Sequence, residues 1–167
     1  MPQFYGTVEG FRQYHVARGH PISAEILADD EAITGALLVA SEWLDARYRG
    51  RFPGIKVTGR IQEREWPRMN ATDIYGEDLG NVIVPREIEA ATYEAAAIQA
   101  ATPGALSVNY TPNKYKSVSI SGAISVEYGS IESVADMQTQ FAIIAEILAT
   151  ILIVPRGTTS YVGSSIR

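Results

Sequence analysis

The stretch from Asp30 to Tyr48 constrains the fold more than any other, because a single conformation gives its apolar residues a common face. Ile33, Leu37, Ala40, Leu44 and Tyr48 recur at steps of four, three, four and four. At 3.6 residues per turn that spacing is one stripe along a helix. Ala36 and Trp43 widen the stripe, while Glu31, Thr34, Ser41, Glu42 and Asp45 are expected mainly on the wet side. Asp29 or Asp30 is placed to accept from the free N–H groups of the first turn, and Gly50 to end the helix in a left-handed conformation. Asp45 and Arg49 stand one turn apart in the favourable acid-first order. A helix with so broad an apolar face needs partners.

Several segments are able to supply them. Thr7 to Arg18 reads as a short first helix, with Thr7 as its cap, Glu9 in the positive first turn and Gly19 as its stop. Val8, Phe11, Tyr14 and His15 form its apolar face, and Ile22 to Ala28 follows Pro21 as a helical turn. Pro85 opens a third helix where a missing N–H costs nothing, and Glu87 and Glu89 favour that end. Its inner face is Ile88, Ala91, Ala95 and Ile98, with Tyr93 and Glu94 to the side, and Thr102-Pro103-Gly104 stops it. Asp136 to Leu152 reads as the last helix, carrying one stripe of Met137, Phe141, Ile144, Leu148 and Leu152 and a second of Ile143, Ile147 and Ile151. An apolar surface on two sides implies burial on two sides, one of them against another subunit.

Between these helices the pattern changes. Gly50 to Asn81 is broken by proline and glycine, with weak strand signals at Ile55–Val57 and Arg60–Gln62. In Trp66-Pro67-Arg68 the proline pushes Trp66 towards extended backbone, so the indole is expected on the core with Arg68 stacked or paired nearby. From Ala105 to Gly129 the period becomes two: Val118 and Ile120 alternate with serines, then Ile124, Val126 and Tyr128 follow the Gly122 turn. Residues 156–167 are rich in Gly, Ser and Thr, with isolated Tyr161, Val162 and Ile166, the composition of a free arm. The expected architecture is mainly α: a small bundle of about four helices with a β-hairpin at about 105–129, forming one domain over 1–154, and an extended C-terminal arm over 155–167.

Much chemistry is excluded by the residues themselves. There is no cysteine, hence no disulfide, no thiolate metal site and no thiol nucleophile. The start MPQFYGTVEG lacks the basic and apolar regions of a signal peptide. The longest apolar run, Phe141 to Val154, contains Glu146 and is too short to span a bilayer, so no membrane anchor is expected. No phosphate-cradling loop, dinucleotide fingerprint or Gly-x-Ser-x-Gly elbow occurs. His15 and His20 are five apart, off the one-turn spacing of paired helical ligands, and the TDIYGED loop with Asp73, Glu77 and Asp78 lacks the spacing of a calcium loop. A protein without catalytic residues, metal or cofactor is the expectation.

Charge is distributed unevenly. Residues 47–68 hold Arg47, Arg49, Arg51, Lys56, Arg60, Arg64 and Arg68 against Glu63 and Glu65, a local sum of +5, while residues 1–46 and 69–167 each sum to −5. Such a belt either pairs with acidic flanks of the same or a neighbouring subunit, or contacts nucleic-acid phosphates. Arg47, Arg49 and Arg51 are the candidates for inter-subunit pairs or for lining a DNA path.

The ordered motifs carry a resemblance. Thr7-Val8-Glu9-Gly10-Phe11 with Tyr14 and Arg18-Gly19 is followed by Trp43-Leu44-Asp45 through Tyr48-Arg49-Gly50-Arg51, then Trp66-Pro67-Arg68 and Gly76. Val84-Pro85-Arg86-Glu87-Ile88 with Ala91, Glu94 and Ala95 comes next, and Lys116 to Tyr128 last. Together they resemble a family of tailed-phage proteins often labelled DnaT-like single-stranded-DNA-binding proteins, which is also similar to the head–tail connector, or adaptor, proteins of the phage neck. The resemblance implies a virion structural protein that forms a ring, dodecameric by analogy, under the portal. Such a ring extends the channel for double-stranded DNA and offers a platform to a tail or stopper protein. Its place is the virion neck, reached through the host cytoplasm during assembly. On that reading Phe141, Ile144, Leu148, Tyr161, Val162 and Ile166 are candidate subunit or portal contacts. Removing residues 156–167 is then expected to weaken portal docking and leave the domain folded. The alternatives are a single-stranded-DNA-binding accessory protein, which stacks bases on exposed aromatics above a basic groove, and an assembly factor absent from the finished particle. An acidic net charge suits a channel through which DNA slides without sticking.

Overall fold

In the computed structural model, which describes residues 3–107 and 142–153, the chain is mainly helical. Helix α1 spans Val8–Arg18, α2 Ala24–Ala28, α3 Asp30–Tyr48, α4 Arg86–Ala101 and α5 Ala142–Leu148. Local chemistry sets most of the helix ends. The Thr7 hydroxyl accepts from the Gly10 N–H at 2.9 Å, and Gly19 closes α1 at φ 62°. Ser23 caps α2, and Asp29 caps α3 by accepting from the N–H groups of Glu31 and Ala32. Pro85 takes the capping position before α4, and Thr102 follows its last turn.

Helix α3 lies at the centre, packed on α1, α2 and α4, and α4 carries α5 on its other flank. The expected stripe is the core: Ile33, Ala36, Leu37, Ala40, Leu44 and Tyr48 are buried. They meet Ile88, Ala91, Ala95 and Ala96 of α4, whose small side chains let two helix backbones come close. Phe11 and His15 enter from α1, and Ile144, Leu148, Ile151 and Leu152 from α5 and the turn after it.

Four expectations need correcting. Helix α3 does not end on a left-handed Gly50. It tightens into a 3₁₀ turn over Arg49–Arg51, which delivers the buried Phe52 edge-on to the Trp66 ring at 5.7 Å. Ser41 and Asp45 are buried rather than wet, for a reason given below. The strand expected at Arg60–Gln62 is instead a 3₁₀ turn over Gly59–Ile61. The true partner of β1 (Ile55–Lys56) is β2 (Arg68–Met69), in an antiparallel ribbon pairing Ile55 with Met69 and Lys56 with Arg68. Helix α5 stops at Leu148 rather than Leu152, where the N–H groups of Ile151 and Leu152 both turn back to the Leu148 carbonyl at 3.0 Å.

The hairpin expected at about 105–129 lies outside the described residues from 108 onward, and Ala105–Ser107 is a 3₁₀ turn. Residues 136–141 of the last expected helix and the arm from 155 also lie outside them. Among the described residues no helix is long and apolar enough to cross a membrane, and no group of three His, Cys, Asp or Glu side chains is placed to hold a metal ion.

Candidate functional site

The basic belt is the natural place to look for function, and most of its basic side chains are engaged within the chain, while Arg60 is exposed. The organising group is Tyr5. Its N–H donates to Ser41 Oγ at 2.9 Å and its hydroxyl to Asp45 Oδ1 at 2.5 Å, while the same hydroxyl accepts the Trp66 N–H at 3.1 Å. Asp45 Oδ2 accepts the Glu65 N–H at 3.3 Å and faces the Arg64 guanidinium at 3.6 Å. This is why Ser41 and Asp45 leave the wet side: residues 3–5 cover that flank of α3 and bring donors with them. Burial pushes the Asp45 carboxyl up, against the pull of the Tyr5 hydroxyl, the Glu65 N–H and Arg64. Burial, then the neighbouring Asp45, pushes the Tyr5 phenol far above its ordinary value.

Arg64, Arg68 and Lys56 are likewise bonded within the chain. Arg64 Nε donates to the Gln3 carbonyl at 2.7 Å and its guanidinium reaches Glu42 at 3.3 Å. Arg68 is buried, with 2.7 Å bonds to the carbonyls of Pro53 and Gly54 and to Glu65 Oε2. Lys56 donates to the Gln62 carbonyl at 2.8 Å and lies 3.5 Å from Glu65. Buried Gln62 ties the loop from within, donating to the carbonyls of Arg64 and Pro67 at 2.9 Å. The two readings of the belt are therefore unequal: much of it pairs inside this chain.

Arg47, Arg49 and Arg51 have three separate anchors. Arg47 lies over the Trp43 and Tyr48 rings at 5.4 and 5.9 Å. Arg49 Nε folds back to the backbone carbonyl of Asp45 at 3.3 Å, so the expected acid-first side-chain pair is not formed. Arg51 Nε reaches the Ile153 carbonyl at 3.4 Å, and the Ile153 N–H returns to the Arg51 carbonyl at 2.8 Å. Of the expected subunit contacts, Ile144 and Leu148 are fully buried in this chain's own core and have no surface to offer. Phe141, Tyr161, Val162 and Ile166 lie outside the described residues.

Exposed apolar side chains lie both within the belt stretch and beyond it, with Val16 of α1, Ile143 of α5 and Ile153 also exposed. Ile61 is 86% exposed, Val82 82% and Tyr75 77%, and Ile55, Ile74 and Ile83 are exposed with them. The turn carrying Ile74 and Tyr75 is held firmly. Asp73 Oδ1 accepts the N–H groups of Tyr75 and Glu77 at 2.8 and 2.9 Å, and the Ile74 N–H donates to the Thr150 carbonyl at 2.9 Å. The acidic TDIYGED loop thus uses Asp73 to shape a turn. Periodicity cannot mark residues in irregular backbone, and the one available signal was the apolar pairs Ile74-Tyr75 and Val82-Ile83 in an otherwise polar stretch.

No curated protein and no solved structure matches the chain. Over residues 4–167, nearly its whole length, the sequence matches the family described as "Putative DnaT-like ssDNA binding protein", and to that family the chain belongs.

Proposed function

We propose that this protein is a virion structural protein, a head–tail connector that assembles as a ring of identical copies beneath the portal, extends the DNA channel and joins it to the tail. The observation that carries this reading is the exposure of Ile61, Tyr75, Val82 and Ile83 on the surface of a well-packed chain. A contact with another copy or a neighbouring neck protein would remove that apolar area from water. The engagement of Arg51, Arg64 and Arg68 within the chain supports it too, since phosphates would have to compete for them.

The family description favours a second reading, a single-stranded-DNA-binding accessory protein. That activity calls for exposed rings above a basic groove. Among the described residues Tyr75 is the one Phe, Tyr or Trp ring that stands largely in solvent, and its turn contains Asp73, Glu77 and Asp78, which repel phosphate. Native mass spectrometry of the protein alone, with the portal from the same genome, and with a single-stranded oligonucleotide separates the two. A ring that binds portal and ignores the oligonucleotide supports the connector. A small oligomer that ignores portal and takes up the oligonucleotide, in a salt-sensitive way that weakens when Arg47, Arg49 and Arg51 are neutralised, establishes the second reading instead.

A further inference from the structure

We propose that His15 and His20 form a proton-operated latch that holds the corner between α1 and α2 against α4 and releases it when the pair takes up its second proton. The left-handed Gly19 turns the chain back on itself, so that His20 Nδ1 lies 2.9 Å from His15 Nδ1. His15 Nε2 is 3.1 Å from the Tyr93 carbonyl. A carbonyl only accepts, so Nε2 carries the proton and His15 Nδ1 is the acceptor. His20 Nδ1 must then be the donor, which assigns both tautomers from the bonding pattern.

The two protons that acid can add are not equivalent. A proton on His20 Nε2 would leave the Nδ1 to Nδ1 bond intact, with Glu94 Oε1 3.7 Å from that ring's Nδ1. The second must go to His15 Nδ1, which sets two N–H groups and two positive rings against each other. The surrounding charges give that second cation little support. Glu94, from α4, is already shared between His20 and the Tyr14 hydroxyl, which donates to Oε1 at 2.9 Å. Arg18, from α1, is a further positive charge, with its guanidinium 3.6 Å from the centre of the Tyr14 ring. The α2 side offers only the neutral Ser23 and Ile26. His15 is also fully buried, and its burial favours the neutral ring.

Besides the histidine pair, the corner is held by the His20 N–H on the His15 carbonyl at 3.1 Å and by the partly buried Ile22, Ile26 and Leu27. No residue of α2 is fully buried, and beneath it lies a cavity of about 510 Å³ lined by His15, His20, Ile22, Ile26, Glu94 and Ile98. At the far end Arg12 Nε donates to the Leu27 carbonyl at 2.7 Å and the guanidinium pairs with Asp30, which makes Leu27 the hinge. The moving part is residues 20–26.

Hydrogen exchange on the whole chain, expressed as protection factors to remove the intrinsic pH dependence, tests the latch. On going from about pH 7.5 to about pH 5, where ordinary histidines charge, amides of 20–26 are expected to lose protection about tenfold while those of α3 hold within about twofold. His20→Gln, whose amide nitrogen donates to neutral His15 Nδ1 and whose oxygen can turn to accept once that nitrogen is protonated, is expected to keep the corner protected at both values. Histidine 15N spectra should show the two rings titrating in separate steps with the tautomers assigned above. Equal protection of 20–26 at both pH values, the same loss in His20→Gln, a parallel loss throughout α3, or two rings titrating independently near the ordinary value would each overturn the proposal.

Discussion

Asp45 occupies a position on α3 that the helical period assigns to solvent, and it is Tyr5, forty residues earlier, that makes it an interior group. The pair anchors the N-terminal segment, the central helix and the Trp66 loop at one point, so its members are expected to be strongly coupled. Tyr5→Phe should cost about 1–2 kcal/mol through the lost hydroxyl. Asp45→Ala should cost about 2–4 kcal/mol, because it leaves the Tyr5 hydroxyl and the Glu65 N–H without their acceptor, while Arg64 keeps Glu42 and the Gln3 carbonyl. In a urea-denaturation double-mutant cycle the two losses should fall short of additivity by about 1 kcal/mol or more. Additive losses would mean that the contact does not hold these elements together. Asp45 also has a pH signature. Its folded value lies above the ordinary 3.8, chiefly through burial, so folding binds its proton more tightly than the unfolded chain does. That contribution is present below 3.8 and is lost as pH rises through the folded value. Asp45→Asn should flatten this part of the stability profile, read from denaturation midpoints across the acid range.

At the level of elements, α5 and the β1–β2 ribbon are the informative cases. Ile144 and Leu148 sit on a helix that the sequence marks as apolar on two sides, and the fold turns these two inward onto α4. Ile144→Ala or Leu148→Ala should therefore cost about 2–5 kcal/mol in the isolated protein, measured by urea denaturation. Residues that served only docking would leave that value unchanged. Two left-handed glycines separate local from tertiary constraint. Gly19 has φ 62° and open space around it, so Gly19→Ala should cost only about 1 kcal/mol. Gly54 has φ 66°, and a Cβ there would stand 2.3 Å from the Met69 carbonyl oxygen and 2.8 Å from the Ala71 nitrogen. Backbone cannot swing aside as a side chain can, so Gly54→Ala should cost clearly more, about 2 kcal/mol or above, by opening the ribbon. Thermal denaturation of the two variants side by side checks the order.

At the scale of the whole molecule, the chain closes one core and leaves large apolar side chains on its turns. If those turns are contact surface, Ile61→Ser and Val82→Ser should change the stability of the monomer by no more than about 0.5 kcal/mol, since each side chain is already in water. The same substitutions should lower the sedimentation coefficient of any assembled form. An unchanged distribution of species would remove these residues from the interface. Such substitutions act on assembly separately from the Asp45 and Ile144 changes, which act on the fold, so each set serves as the control for the other.

The sequence by itself determined the helices at 7–18, 30–48 and 85–101 and the cap at Thr7, and it narrowed the cap of α3 to Asp29 or Asp30, because their period and capping chemistry are local and repeat within a turn or two. It also determined that the chain would be mainly α with a small β component. Only the tertiary structure decided that Asp45 and Ser41 face inward, that Arg64 and Arg68 bond within the chain, and that β1 finds its partner at Arg68–Met69 across the Gly59–Ile61 turn. It likewise placed His20 against His15. Those outcomes depend on which distant segment arrives to supply a donor, a carbonyl or a covering ring. Neither a helical period nor a count of charges encodes that arrival, since both describe a residue's neighbours along the chain and not its neighbours across it.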